Sequence, residues 1–165
     1  MKHKTLILVR HAKSSWDSSA TNDFDRPLND RGKKDAPVMA KRLKERKNTI
    51  DAFISSPAKR AKKTAIVFAE EYGIDHDKIK FREELYGALP ESFYDVICEV
   101  NDKHDTIAIF SHNPGITDFA NSLTTAVIDN LPTCGIFAVK INSAHWKEVR
   151  EAEKEFLFAD YPKNV

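Results

Sequence analysis

Residues 5–11 read TLILVRH, a short apolar run that ends abruptly on a permanent cation and an imidazole. A run of that length, bounded by polar residues, reads as a strand. Further runs of the same kind stand at residues 52–55, 78–81, 106–110 and 136–141. Between them the apolar positions fall three and four apart. The first set is Ala36, Met39, Ala40 and Leu43; the second is Ala61, Thr64, Ala65, Phe68, Ala69 and Tyr72. Phe93, Val96, Ile97 and Val100 form the third, and Ile116, Phe119, Ala120 and Leu123 the fourth. Each set is one buried face of a helix. Strands alternating with helices predict a mainly parallel central sheet with helices on both faces, a three-layer α/β/α sandwich, because parallel strands need crossovers that helices supply. Beyond Leu123 the pattern is less clear.

The 165 residues are 41% apolar and 31% charged, an ordinary globular composition. A chain of this length buries enough surface for a core without disulfides or structural metal. With no internal repeat, low-complexity tract or long linker, one domain over residues 1–165 is expected. The 26 basic and 25 acidic residues nearly cancel, which gives no electrostatic case for a nucleic-acid partner. Cys98 and Cys134 sit in apolar surroundings at no metal-ligand spacing, so buried free thiols and a reducing cytoplasm are expected. The first apolar run is too short for a secretory signal, and no stretch is suited to spanning a membrane. The charged segment KRLKERK (residues 41–47) keeps the apolar period at Leu43 and reads as the solvated face of a helix. Residues 14–30 are the longest aperiodic stretch, and a loop of that length beside a site is more often functional than idle.

Open α/β sheets bind ligands beyond the carboxyl ends of their strands, so the residues following each strand matter most. The first strand exits into Arg10 and His11. The second exits into Ser55, Ser56 and Pro57, where Ser56 is the expected N-cap, Pro57 the first helical residue and Arg60 part of the opening turn. The strand at 106–110 exits into Ser111 and His112, with Asn113 expected to cap a helix that starts at Pro114. Helix N-termini favour anions through unpaired N–H groups and the macrodipole. Any one of these features is ordinary, since a histidine after a strand is more often structural and Arg60 alone would be a surface residue. Together they describe a pocket for a doubly charged oxyanion. A metal site built from His11, His112, Asp23 and Asp25 is the opposing reading, and the adjacent arginines work against a bound cation.

The segments LVRHAKSSWD (residues 8–17), SSPAKRAKKTA (55–65) and FSHNPGI (110–116) resemble the histidine phosphatase superfamily in order and spacing. The compact length, the start RHAKS and the segment DFDRPLNDRG (23–32) look most like its SixA type of protein phosphohistidine phosphatase. The resemblance implies a phosphoglycerate mutase-like fold and a catalytic core of Arg10, His11, Arg60 and His112, with Ser14 as a weaker phosphate contact. Asp17 stands where related mutases carry Asn, and no role is transferred to it. Many members place a proton-donating acid soon after the third strand, which makes Glu83 and Glu84 of REELYGAL (82–89) the candidates for a general acid.

The chemistry expected is that of a metal-independent phosphatase without a cofactor, in which His11 takes the phosphoryl group covalently. Its attacking nitrogen must be unprotonated, which usually requires the other nitrogen to donate to a carbonyl or carboxylate. Arg10, Arg60 and a protonated His112 would neutralise the phosphoryl oxygens, guanidinium being suited to this by its planar donor fork. Lys13, Lys59, Lys62 and Lys63 read as screening or steering charge. The expected substrate is a phosphorylated protein such as a histidine-containing phosphotransfer domain. The alternatives are a phosphatase or mutase for a small phosphoester, or a phosphate-binding module without turnover.

Overall fold

The computed structural model describes residues 2–16 and 22–164, so Asp17 lies outside the described residues. In chain order the elements are β1 (Lys4–Arg10), α1 (Asp30–Arg46), β2 (Ala52–Ser55), α2 (Lys59–Glu71), β3 (Lys80–Phe81), α3 (Pro90–Cys98), β4 (Thr106–Ser111), α4 (Gly115–Leu123), β5 (Ile136–Ile141) and β6 (Lys154–Asp160). The six strands form one sheet in the order β3-β2-β4-β1-β5-β6. The pairs β2 with β3, β2 with β4 and β1 with β4 are parallel, while β5 pairs antiparallel with both β1 and β6. The sheet is thus mainly parallel, with an antiparallel wing on one side.

Alternation along β1 divides the core into its two layers, as period-two geometry requires. Leu6 and Leu8 point to the side where Phe93 of α3 and Phe119 of α4 stack at 4.7 Å. Ile7 and Val9 point to the other, against Met39 of α1 and Phe68 of α2. All four β1 side chains are fully buried, each worth roughly 1.5–3 kcal/mol relative to exposure. No helix among the described residues is long and apolar enough to cross a membrane.

The structure differs from expectation in several details, each with a physical reason. β6 is an edge strand whose Glu155, Phe156 and Leu157 are all exposed, so it carries no alternating pattern, and a bulge between Ala138 and Val139 shifts its register against β5. β3 starts at Lys80 because residues His76–Lys78 close a 3-10 turn. Helix α2 begins later than predicted, with Ala58 at its cap; the Ser56 hydroxyl accepts from the Ala58 N–H at 3.2 Å in a turn ahead of the helix. Helix α4 begins at Gly115 rather than Pro114, and Asn113 does not cap it through its side chain. Its Oδ1 accepts from the Thr117 hydroxyl at 2.6 Å, while its Nδ2 donates to the Leu131 carbonyl at 3.2 Å. Cys134 is a buried free thiol, but Cys98 is free and only half-buried, at the end of α3.

Candidate active site

Strands β2, β4 and β1 are neighbours and parallel, so their carboxyl ends lie at one edge of the sheet. Pairing continues past the strands: His11 N–H donates to the Ser111 carbonyl at 3.1 Å, and Ser56 N–H to the Phe110 carbonyl at 2.9 Å. This register carries Arg10, His11, Ser56 and His112 to the same rim, and the opening turn of α2 adds Arg60.

His11 is 6% exposed. Its Nδ1 lies 2.7 Å from its neighbour's carbonyl, Ala12 O, which only a protonated nitrogen can satisfy, so Nδ1 donates and Nε2 keeps its lone pair. The Ala12 N–H is itself held by Thr64 Oγ1 of α2 at 2.9 Å, which fixes the peptide that orients the ring. Burial, followed by the charges of Arg60, Arg10 and Arg26, pushes the His11 pKa down to about 3 against the hydrogen bond to Ala12, which raises it.

His112 lies with its ring centroid 5.1 Å from that of His11. Its Nε2 meets the Ser56 hydroxyl at 2.7 Å, while Nδ1 is buried without a partner among the described residues. Burial, then His11 and Arg60, lowers its pKa to about 3 as well. Burial thus disfavours the charged ring in the site as it stands, and the protonated His112 expected from the sequence requires the negative charge of a phosphoryl group beside it.

Arg10 donates through Nη1 to the Leu131 carbonyl at 3.0 Å, on the loop that Asn113 also holds. Burial and then Arg60 lower its pKa, the signature of guanidinium groups crowded in a poorly solvated place. Arg60 is 6% exposed and donates through Nη1 to the Asp23 carbonyl at 2.6 Å and through Nη2 to Asp23 Oδ2 at 2.9 Å. The Nε groups of Arg10, Arg26 and Arg60 are all buried without a protein partner among the described residues. Guanidinium N–H donors left without a protein partner are suited to an oxyanion.

Arg26 and Tyr86 carry no mark in the sequence that would assign them to the site, and Asp23 entered the sequence reading only as a donor in the opposing metal arrangement. Arg26 donates through Nη1 to Asp23 Oδ1 at 2.9 Å, lies 3.4 Å from the Trp16 ring, and donates through Nη2 to the Ser14 hydroxyl. Ser14 is thereby buried and held by Arg26, whose charge reaches His11. Asp23 receives Arg60, Arg26 and the Tyr86 hydroxyl, the last at 2.8 Å. Burial alone would raise its carboxyl, but the bonds from Tyr86 and Arg60 and the charges of Arg60 and Arg26 outweigh it and lower the pKa. Tyr86 also sets its ring edge-on to His112 at 5.5 Å. The aperiodic length of residues 14–30 and the resemblance carried by residues 23–32 are the sequence signals that pointed to the Asp23 and Arg26 region.

The two candidate acids are placed differently from the four core residues. Glu84 is exposed and held by Arg82, at 2.6 Å from Nη2, which lowers its pKa. Glu83 is exposed on the same 3-10 turn, Glu83–Leu85, with no side-chain bond to the core among the described residues. The structure therefore does not gather either Glu with His11. Asp23 and Asp25 are not grouped with the histidines as metal donors either, since no cluster of three or more His, Cys, Asp or Glu suited to a metal occurs among the described residues. Asp23 is instead paired with the guanidinium groups of Arg26 and Arg60.

The sequence profile of the histidine phosphatase superfamily (branch 1) matches residues 6–92. An uncharacterized protein of Mycobacterium tuberculosis is 30% identical over 151 residues, covering 86% of this chain and 91% of that protein. The structure described as the phosphohistidine phosphatase SixA of Nakamurella multipartitia superposes with a TM-score of 0.84 at 21% identity, covering 99% of this chain and 98% of its own. A protein histidine phosphatase SixA complexed with tungstate superposes with a TM-score of 0.78 at 20% identity, over 97% of this chain and 98% of its own. The matching profile covers β1 with its Arg-His exit, the Asp23 and Arg26 loop and the start of α2, and the solved neighbours share the fold over nearly the whole length: the chain belongs to the histidine phosphatase superfamily.

Proposed function

We propose that the chain is a metal-independent phosphatase that works through a covalent phosphohistidine on His11 and releases phosphate from phosphohistidine in a protein substrate. The observation that carries this reading is the bond from His11 Nδ1 to the Ala12 carbonyl, which leaves Nε2 as a fixed, unprotonated nucleophile beside the guanidinium groups. In the first step Nε2 forms a bond to phosphorus as the bond from phosphorus to the leaving imidazole nitrogen breaks. That ring can take a proton on its second nitrogen from solvent and depart neutral, so it demands less of a general acid than an alkoxide does. The exposed positions of Glu83 and Glu84 are then no obstacle. In the second step water attacks phosphorus, the bond to Nε2 breaks, and phosphate and free His11 are regenerated.

Arg10, Arg60 and His112 are assigned to the charge that spreads over the equatorial oxygens in both steps. Ser56 can donate to His112 Nε2 while accepting from Ala58, which leaves the proton on Nδ1, the nitrogen without a protein partner. Ser14 acts with Arg26 as an outer phosphate contact. The substrate class is tested by turnover on a phosphorylated histidine-containing transfer domain beside a panel of sugar phosphates, with His11→Ala as the inactive reference. The proposal expects preference for the phosphoprotein. Faster hydrolysis of the sugar phosphates would move the assignment to a small phosphoester, and tight phosphate binding without release from any substrate would make the chain a binding module.

A further inference from the structure

Beside the candidate site lies a groove of about 640 Å³, between the 3-10 turn that follows Asn22, the N-terminal half of α2 and the start of α1. Phe24, Leu28 and Ile66 form an apolar part of its lining. Its rim carries Lys33, Lys59, Lys62 and Lys63, with Asp25 the single carboxylate among the lining residues. All four lysines are exposed, and none is in an ion pair among the described residues; Lys62 rests over the Phe81 ring at 5.4 Å. In a chain whose net charge is only +1, this is a local excess of positive charge rather than a share of a general one.

The groove adjoins the site through Phe24 and Lys59. Phe24 meets Tyr86 edge-on at 5.2 Å, and Tyr86 in turn meets the His112 ring. Lys59 directly precedes Arg60, and Phe24 directly follows Asp23. We propose, resting on the phosphoprotein reading above, that this groove is a docking track for an acidic, partly apolar segment of the substrate protein flanking its phosphorylated residue. Two features select that occupant. Arginine offers the planar fork that fits phosphate, and here the arginines face the pocket while the rim has only lysine point charges, which suit dispersed carboxylates. The apolar lining gives apolar side chains a place that a simple polyanion would not use.

The test compares two synthetic phosphohistidine peptides of equal length, one flanked by Asp, Glu and Leu and the other by Ser, Gln and Leu. Exposed ion pairs are individually weak and screened beyond a Debye length of about 8 Å at physiological salt. Three or four together should favour the acidic peptide about tenfold in kcat/KM, mainly through KM. The advantage should shrink in about 0.5 M salt, where the Debye length falls to about 4 Å, and disappear in a Lys33→Ala, Lys62→Ala, Lys63→Ala variant. A urea midpoint equal to that of the wild type would show that the variant is folded, so that the lost preference reports docking. Equal turnover of both peptides by the wild type, at every salt concentration, would overturn the track while leaving the phosphoprotein reading intact. Failure on both peptides with rapid turnover of sugar phosphates would overturn the phosphoprotein reading and the track with it.

Discussion

Asp23 presents its carboxylate to Arg60 and Arg26 at 2.9 Å each, the same groups that a phosphoryl dianion would seek. A bound oxyanion and this side chain therefore compete for the same donors. Asp23→Asn keeps the shape and the Tyr86 contact but removes the competing charge, and inorganic phosphate should inhibit that variant at a several-fold lower concentration. Product-inhibition constants measured on a small substrate check this, and unchanged or weaker phosphate inhibition would sink the idea of competition. At this scale the sequence was informative where chemistry sat at a strand exit. Arg10 ends β1, His11 and His112 follow strands directly, and Arg60 falls in a predicted opening turn, so topology alone carries them to one place. Asp23, Arg26 and Tyr86 reach the pocket only by the path of the loops that hold them, and no periodicity encodes that path.

The site is held by helix starts laid on loop backbone, and glycine permits the approach at two of them. A Cβ at Gly115, the first residue of α4, would lie 2.1 Å from the Ala88 carbonyl oxygen, and one at Gly32 would lie 2.1 Å from that of Lys13. Backbone cannot yield as a flexible side chain does, so one of the two segments must shift. Gly115→Ala should lower stability by about 1–3 kcal/mol, the usual range for overpacking, and should reduce turnover because α4 follows His112 by so few residues. Urea denaturation of the variant checks the first part, and a midpoint within error of wild type would contradict it. Elements that bury a regular face were legible for the same reason that they are stable. β1 alternates between two cores and α2 shows its stripe from Ala61 to Ala69, whereas β6 buries little and left no pattern. The cap at Ser56 failed as a prediction because its hydroxyl is engaged by His112 and by the turn at Ala58, a tertiary demand that local propensity does not contain.

For the molecule as a whole, two histidines buried in their neutral form tie stability to pH. Each has a folded pKa near 3 against about 6.5 when unfolded. Above pH 6.5 both states are neutral and the stability is intact; as pH falls below 6.5 the unfolded chain binds protons first, so stability declines toward pH 3. Taken singly, each histidine costs about 2 kcal/mol by pH 5, and less when paired because the two interact. The carboxylates with lowered pKa, Asp23, Glu84 and Asp102, lose their contribution only below the ordinary carboxylate range and do not oppose this trend. Urea midpoints at pH 7, 6 and 5 should fall for wild type and fall less for His112→Asn. Parallel curves would show that these rings titrate normally in the folded state. At this scale the alternation of strands and helices made the parallel half of the sheet readable, and the antiparallel wing of β5 and β6 was not, since strand direction depends on connections rather than on composition.

The nucleophile is the claim on which the mechanism depends. Rapid quenching of the enzyme during turnover, followed by peptide mapping, should find phosphate on His11 in a bond that is stable in alkali and lost in acid, with none on the His11→Ala variant. Phosphate trapped on a serine, or full turnover by His11→Ala, would contradict the account.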